Sequence, residues 1–143
     1  MLTIFALRPT PTFLPLLAMA VPAGFPSPAE DHVEDEIDLH RLLVQNKAAT
    51  FLVRVQGSSM VEAQLFDGDI AVVDRSVRPA PGDIVVVDID GDRSFKRWTG
   101  RRDVPLTFAN RALPPYQLPQ EASVEVWGTV TGSVCARRRA HRA

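Results

Sequence analysis

The segments GDIAVVD at 68–74 and GDIVVVD at 82–88 decide the fold. In each copy Gly and Asp are typical turn residues, and a continuous run of Ile, Val and Ala follows. A short apolar run bounded by turn residues is typical of a β-strand that is buried on both faces. Two copies are too few for a repeat architecture, so we interpret them as two similarly built strand entries in one β domain.

Further short runs rich in Val, Ile, Phe and Thr lie on both sides of this pair, separated by Gly, Pro and Asp. Together they predict strands over 50–56, 70–74, 84–90, 93–98, 104–109 and 124–136. The chain is therefore expected to be mainly β, with a compact β domain over 50–136 and a basic tail over 137–143. We interpret Asp67, Asp69 and Asp83 as turn formers rather than metal ligands.

The first 49 residues differ in composition from the predicted β domain. Six of the twelve prolines lie in the first 28 residues, which predicts an extended arm without a stable helix. Six carboxylates follow between Glu30 and Asp38, and Leu39, Leu42 and Leu43 have helical spacing. We therefore predict a linker over 24–49 that contains a short acidic amphipathic helix at about residues 31–46.

Length, charge and cysteine content exclude several classes of protein. A chain of 143 residues fits one domain with tails, and a net charge of −1 does not indicate attraction of the whole surface to nucleic acid. The single cysteine, Cys135, allows no internal disulfide and no cysteine-based zinc site, so a cytoplasmic location is expected. Cys135 lies in the predicted apolar strand over 124–136, and we interpret it as a small core residue.

The N-terminus has some features of a secretory signal. Residues 13–21 are apolar, and Val21 and Ala23 satisfy the small-residue rule for a cleavage site before Gly24. Two features argue against a secretory signal. Arg8 is the only charged side chain before the apolar run, and Pro15 interrupts that run. A membrane span is not expected, because the run is shorter than the roughly 20 residues that a bilayer requires.

Histidines and lysines limit the chemistry. His32, Glu36 and His40 have the spacing of metal ligands on one helix face, although a solvated polar face is the favoured interpretation, and neither a metal nor a cofactor is expected. Of the sixteen basic residues fourteen are Arg, so only Lys47 and Lys96 can act as neutral amines.

The period of the predicted strand over 93–98 places Lys96 on one face with Ser94 and Trp98. If that face points inward, burial lowers the pKa of Lys96 and makes it a general base. A suitable nucleophile is a serine of the glycine turn GSSM at 57–60, where backbone N–H groups are free to stabilise an oxyanion. On spacing alone, an ordinary polar turn and an edge-strand lysine remain the favoured interpretation.

Three segments carry a resemblance to a known family: VQGSSMVEAQLFDGDIAVVD at 55–74, PGDIVVVDIDGD at 81–92 and FKRW at 95–98. Over about 24–135 the chain resembles the catalytic domain of LexA-type repressors and UmuD-type mutagenesis proteins, the self-cleaving Ser-Lys peptidases. The resemblance implies a LexA/signal-peptidase-like β domain, with Ser59 as the nucleophile and Lys96 as the general base. Position 58 is Ser where family members often carry Asp, so no role for that carboxylate is carried over.

The resemblance also implies a cleavage site. Family members cut an Ala-Gly or Cys-Gly bond upstream of the domain, and Ala23-Gly24, followed by FPSPAED at 25–31, matches that pattern. Residues 1–23 are then an arm that self-cleavage removes. Pro22 and Pro26 suit a segment that binds in the cleft as an added strand, because they prevent it from coiling.

Partners are expected from the same resemblance. Only 23 residues precede the bond, too few for a helix-turn-helix domain, so direct sequence-specific DNA binding is not expected. The chain looks like a UmuD-type protein, which implies a homodimer, stimulation by a RecA filament on single-stranded DNA, and a UmuC-type Y-family polymerase in error-prone translesion synthesis. Two alternatives remain open: a non-catalytic polymerase-binding module with an idle dyad, and a secreted β-domain released by signal peptidase.

Overall fold

The computed structural model describes residues 11–18, 21, 23–24 and 33–137. The chain forms two compact units, a smaller one over 1–42 and a larger one over 43–143. In the described residues no helix has both the length and the apolar character that a membrane crossing requires.

The larger unit is built on a six-stranded antiparallel sheet. Its strands are β3 (Thr50–Arg54), β4 (Ile70–Asp74), β5 (Ile84–Ile89), β6 (Asp92–Trp98), β7 (Leu106–Thr107) and β8 (Val124–Val134). Their order across the sheet is β3-β4-β8-β5-β6-β7, so the long strand β8 separates β4 from β5. The mainly β fold is confirmed. The predicted strand over 104–109 is reduced to two residues, because β7 pairs only with Arg97 and Trp98.

The core lies on both faces of the sheet. Val86 packs on one face with Met60, while its neighbours Val85 and Val87 pack on the other face with Leu106. Strand β5 is therefore buried on both sides, as the continuous apolar run predicts. Strand β4 is buried in the same way, because successive residues of a strand point to opposite faces and residues 71–74 are all buried.

The two GDI segments have the same turn geometry. Gly68 and Gly82 have φ of +88° and +96°, a region that favours glycine. The carboxylate of Asp69 accepts a hydrogen bond from the Phe66 N–H at 2.9 Å, and that of Asp83 accepts one from the Ala80 N–H at 2.8 Å. The interpretation of these aspartates as turn formers is confirmed, and the sequence echo reflects one turn used twice.

The smaller unit contains a two-stranded antiparallel sheet of β1 (Phe13–Leu17) and β2 (Val33–Asp38). Pro15 is tolerated in β1 because both strands of a two-stranded sheet are edges. The chain then forms the short helix α1 (Leu39–Leu43). The helix predicted over 31–46 is therefore wrong across the acidic stretch, whose described residues 33–38 form a strand. The prediction is right only for the leucine segment of α1.

Candidate active site

Lys96 lies in the middle of β6 and points into the protein. Only 6% of the residue is exposed, and its neighbour on β5 is Val85. Burial lowers the pKa of the Lys96 amine, because an ammonium loses hydration when it leaves water. The strand period left open which of the two faces points inward, and the structure shows that it is the face that carries Lys96. The amine donates a hydrogen bond to Ser94 Oγ at 2.8 Å.

Ser59 lies in a turn that follows β3 and is held from several sides. Gly57 has φ of +88°, and its N–H donates to the Asp67 carboxylate at 2.8 Å. The Ser59 carbonyl accepts a hydrogen bond from the Ala109 N–H at 2.9 Å. The next residue, Met60, is 1% exposed and anchors the turn in the core. The serine is therefore fixed by the backbone on both sides while its side chain remains partly exposed.

Backbone donors are free beside this serine. The N–H groups of Ser59 and Met60 donate no hydrogen bond to another described residue, although the neighbouring Gly57 and Ala63 N–H groups do. Unused N–H groups next to a hydroxyl are what an oxyanion hole requires.

One residue, Ser94, contacts Lys96 and lines a cavity with Ser59, while Lys96 itself is not among the lining residues. Ser59 and Ser94 line one cavity of about 300 Å³, and Ser94 is also the acceptor for the Lys96 amine. The lining residues are Val53, Arg54, Gln56, Ser59, Val86, Arg93, Ser94 and Phe95. Among the described residues Lys96 donates to Ser94 and not to Ser59, and the Ser59 hydroxyl has no hydrogen-bond partner.

Two arginines at the cavity are already engaged. Arg93 forms two hydrogen bonds to the Asp88 carboxylate, at 2.7 and 3.0 Å, and these lower the pKa of Asp88. Its guanidinium also lies 4.5 Å from the centroid of the Trp127 ring. Arg54 donates to the Gly68 carbonyl at 3.0 Å. Both guanidinium groups are therefore held in place, and the charge of Arg93 is balanced by a carboxylate.

The other residues singled out in the sequence lie elsewhere. Ala23 and Gly24 are exposed and belong to the smaller unit. Glu36 is in β2 and His40 in α1, so they do not share a helix face, and His32 is outside the described residues. Among the described residues no cluster of His, Cys, Asp and Glu could hold a metal ion.

Cys135 corrects one interpretation. It is exposed and follows the last residue of β8, so it is not a core residue. A hydrogen bond to Asp69 raises the pKa of its thiol.

Several residues of the site had no assigned role in the sequence. Ser94 could have been found, because a residue two positions before a buried lysine on a strand shares its face. Asn110, whose side-chain amide donates to the Ser58 carbonyl at 2.8 Å, had no local signal. The same holds for the rings of Phe108 and Tyr116 beside Lys96, which reach it from a loop without regular structure.

An antiparallel sheet with a glycine-serine turn after β3 and a buried lysine in β6 is consistent with a LexA-like β domain. The chain belongs to the Peptidase S24-like family, whose model matches residues 15–131. The resemblance to LexA-type and UmuD-type proteins is thus confirmed, and the family supports the peptidase class.

Individual relatives agree with this membership. The chain is similar to protein MucA of Salmonella typhimurium, with 40% identity over 85% of this chain and 84% of that one. It is also similar to protein ImpA of Escherichia coli, with 48% identity over 82% and 80%. LexA repressor 2 of Nocardia farcinica is 47% identical over 76% of this chain but only 44% of its own length.

Proposed function

We propose that the chain is a self-cleaving serine peptidase of the SOS response that cuts its own Ala23-Gly24 bond. One observation carries the proposal: the buried Lys96 amine is bonded to Ser94, which shares a cavity with Ser59, in a chain of the Peptidase S24-like family. In this reading Ser59 is the nucleophile and Lys96 the general base.

The reaction begins with residues around the bond lying extended in the cleft. Neutral Lys96 takes the proton from the Ser59 hydroxyl as its oxygen bonds to the Ala23 carbonyl carbon. The negative charge that develops on the carbonyl oxygen is stabilised by the free N–H groups of Ser59 and Met60.

The intermediate then collapses. The bond between Ala23 carbon and Gly24 nitrogen breaks, and the Lys96 ammonium donates its proton to the departing amine. Water, deprotonated by Lys96, attacks the ester that joins Ala23 to Ser59. This hydrolysis gives the Ala23 carboxylic acid and regenerates the Ser59 hydroxyl. Because the substrate segment is tethered to the domain, it is present at a high effective concentration.

Regulation and partners follow from the family resemblance. A RecA filament on single-stranded DNA favours the pose in which the arm occupies the cleft, so the cut is triggered by DNA damage. The processed homodimer then joins a UmuC-type Y-family polymerase in error-prone translesion synthesis, in the cytoplasm.

The decisive experiment is mass spectrometry of purified protein incubated with RecA, ATP and single-stranded DNA. The wild type is expected to give one cut, after Ala23. Ser59→Ala and Lys96→Ala should each lower the rate by about 10³-fold or more, since both groups act in one step. Ser58→Ala is the matched control, because it removes the adjacent hydroxyl without touching the proposed nucleophile.

The same measurement tests two other functions. Lys96 donates to Ser94 and not to Ser59, which is what a non-catalytic polymerase-binding module with an idle dyad would also show. Absence of any cut in the wild type, including at alkaline pH, would favour that module. A cut after Ala23 that persists in Ser59→Ala inside cells, with product outside the cytoplasm, would instead indicate signal peptidase.

A further inference from the structure

Two aromatic rings that the proposed reaction does not use flank the lysine. Lys96 Nζ lies 4.7 Å from the centroid of the Tyr116 ring and 5.3 Å from that of the Phe108 ring. The rings contact each other edge to face, with centroids 5.2 Å apart and an angle of 72° between their planes. Each ring therefore fixes the other, and we refer to the pair as the aromatic corner.

The aromatic corner and burial act on the amine in opposite directions. An ammonium within about 6 Å of a ring centroid is attracted by the electron-rich face, whereas a neutral amine gains much less. Burial favours the neutral amine, because it removes the hydration that an ammonium needs. Burial lowers the pKa of Lys96, and the contact with the two rings acts in the opposite direction because it favours the ammonium.

No other charged group competes with the rings. Among the described residues, the charged groups on the surrounding elements are Asp92 and Arg97 on β6 and two ion pairs, Arg111 with Glu62 and Arg93 with Asp88. Burial is the cause that lowers the pKa of Lys96, with no charged partner acting on it. Val85 on β5 is the cross-strand partner of Lys96. The Tyr116 phenol is the titratable group that contacts the Lys96 amine.

We propose that Tyr116, braced by Phe108, is a positioning residue that holds the Lys96 head group as an ammonium on Ser94 and thereby restrains self-cleavage near neutral pH. The inference rests on the proposed function, in which neutral Lys96 accepts the Ser59 proton. An ammonium has no lone pair that could accept the Ser59 proton. Every contact that stabilises the ammonium therefore slows the first step. The observed hydrogen bond, to Ser94 and not to Ser59, is the arrangement expected of this restrained form.

The chain offers a direct probe, because Lys47 and Lys96 are its only lysines. Full-length protein labelled with ¹³C-lysine therefore gives two side-chain signals, and the Ser59→Ala background keeps the chain intact at alkaline pH. Tyr116→Leu is expected to move the titration midpoint of Lys96 down by about half to one and a half pH units. Tyr116→Phe keeps the ring and should leave the midpoint in place, and the exposed Lys47 serves as the internal control.

Cleavage provides the second readout. In the Ser59-containing protein, Tyr116→Leu should shift the pH profile of self-cleavage by the same amount and speed the cut at pH 7 by about 3- to 30-fold. Tyr116→Phe should cleave like the wild type. Phe108→Leu is a second variant that should give a smaller shift in the same direction, and a cooperative thermal transition confirms that each variant is folded.

The outcomes separate the two proposals. A Lys96 midpoint that stays in place or rises in Tyr116→Leu and Phe108→Leu overturns the role of the aromatic corner, whatever the cleavage rate. A midpoint that falls in a chain that is never cut overturns the proposed peptidase function, and leaves the aromatic corner as the control of the Lys96 charge.

Discussion

At the scale of single residues, the site depends on what surrounds one amine. Lys96 is 6% exposed, bonds to Ser94 and is enclosed by apolar and aromatic groups. An exposed lysine has a pKa of about 10.4 and is almost fully charged at neutral pH. Burial is therefore the property that turns an ordinary strand lysine into a candidate base.

The rate of self-cleavage should rise with pH and then level off. In the proposed mechanism the neutral amine is the reactive form. Because burial lowers the pKa of Lys96, the midpoint of the rise should lie below the value of about 10.4 for a free lysine. Incubation without RecA across pH 6–11, followed by quantification of the product that begins at Gly24, measures this profile. A rate that falls with rising pH would contradict the assignment of Lys96 as the base.

Replacing the amine should stabilise the fold. Lys96→Met removes a buried polar group, so the free energy of unfolding at pH 6 should rise by about 1 kcal/mol or more. The folded-state pKa of Lys96 lies below its unfolded value, so the unfolded state binds more protons between the two values and wild-type stability increases with pH there.

The gain from Lys96→Met should consequently shrink as the pH approaches 10. Urea denaturation at pH 6 and pH 10 provides the comparison. Lys47→Met, at an exposed position, should stay within about 0.5 kcal/mol of the wild type at both pH values. A loss of stability in Lys96→Met that is the same at both pH values would show that packing, not charge, dominates at this position.

At the scale of elements, β8 holds the large sheet together because it pairs with both β4 and β5. Gly128 lies on β8 opposite Val86, where the register with β5 shifts. A Cβ at this position would lie 2.6 Å from Val73 Cγ1. Strand β8 can approach β4 this closely only because residue 128 has no side chain.

Gly128→Ala should accordingly destabilise the protein by about 1–3 kcal/mol, the usual cost of overpacking a core. Gly132→Ala on the same strand is the control, because its Cβ would meet Leu43 Cδ2 at 3.4 Å, an ordinary contact. Thermal unfolding of the two variants gives the comparison. Equal stability of Gly128→Ala and wild type would mean that β4 and β8 separate more easily than their packing indicates.

The elements also show where sequence reasoning succeeds. The strands of the large sheet follow from local signals, since short apolar runs separated by Gly, Pro and Asp mark their positions within a few residues. The acidic stretch over 33–38 has no such signal, because its strand structure arises from pairing with β1, which lies 16 or more residues earlier in the chain. The leucines of α1 predict a helix correctly, but nothing local shows that it begins only at Leu39.

The candidate site shows the same limit. The glycine-serine turn at 57–60 and the strand face that Lys96 shares with Ser94 follow from turn chemistry and strand period, which are local properties. The choice of Ser59 came from the family resemblance, and the inward direction of that face had no local signal. The surroundings of the amine come from residues 108–116 of a distant loop, and contacts of that kind depend on the whole fold. The position of a lysine was therefore predictable, whereas the rings that contact it were not.

At the scale of the whole molecule, the chain divides at residues 42 and 43 into two units of unequal content. The buried residues of the described chain, from Val55 to Thr129, all belong to the larger unit. The described part of the smaller unit is a two-stranded sheet and most of α1, and a sheet of that size has little stability of its own.

Removal of residues 1–23 should therefore leave the thermal stability nearly unchanged. The product over 24–143 is expected to have a Tm within about 3 °C of the uncleavable Ser59→Ala precursor, since the hydrophobic core is intact. Differential scanning calorimetry of the two proteins measures the difference. A fall in Tm of about 8 °C or more would mean that the arm contributes to the core.

The location of Ala23 and Gly24 in the smaller unit determines how long the result of a cut between them would last. In the proposed function, hydrolysis between them would leave the core of the larger unit intact, and refolding could not rejoin the severed ends. A brief stimulus would thus be converted into a lasting chemical record, which only synthesis of new chains could erase.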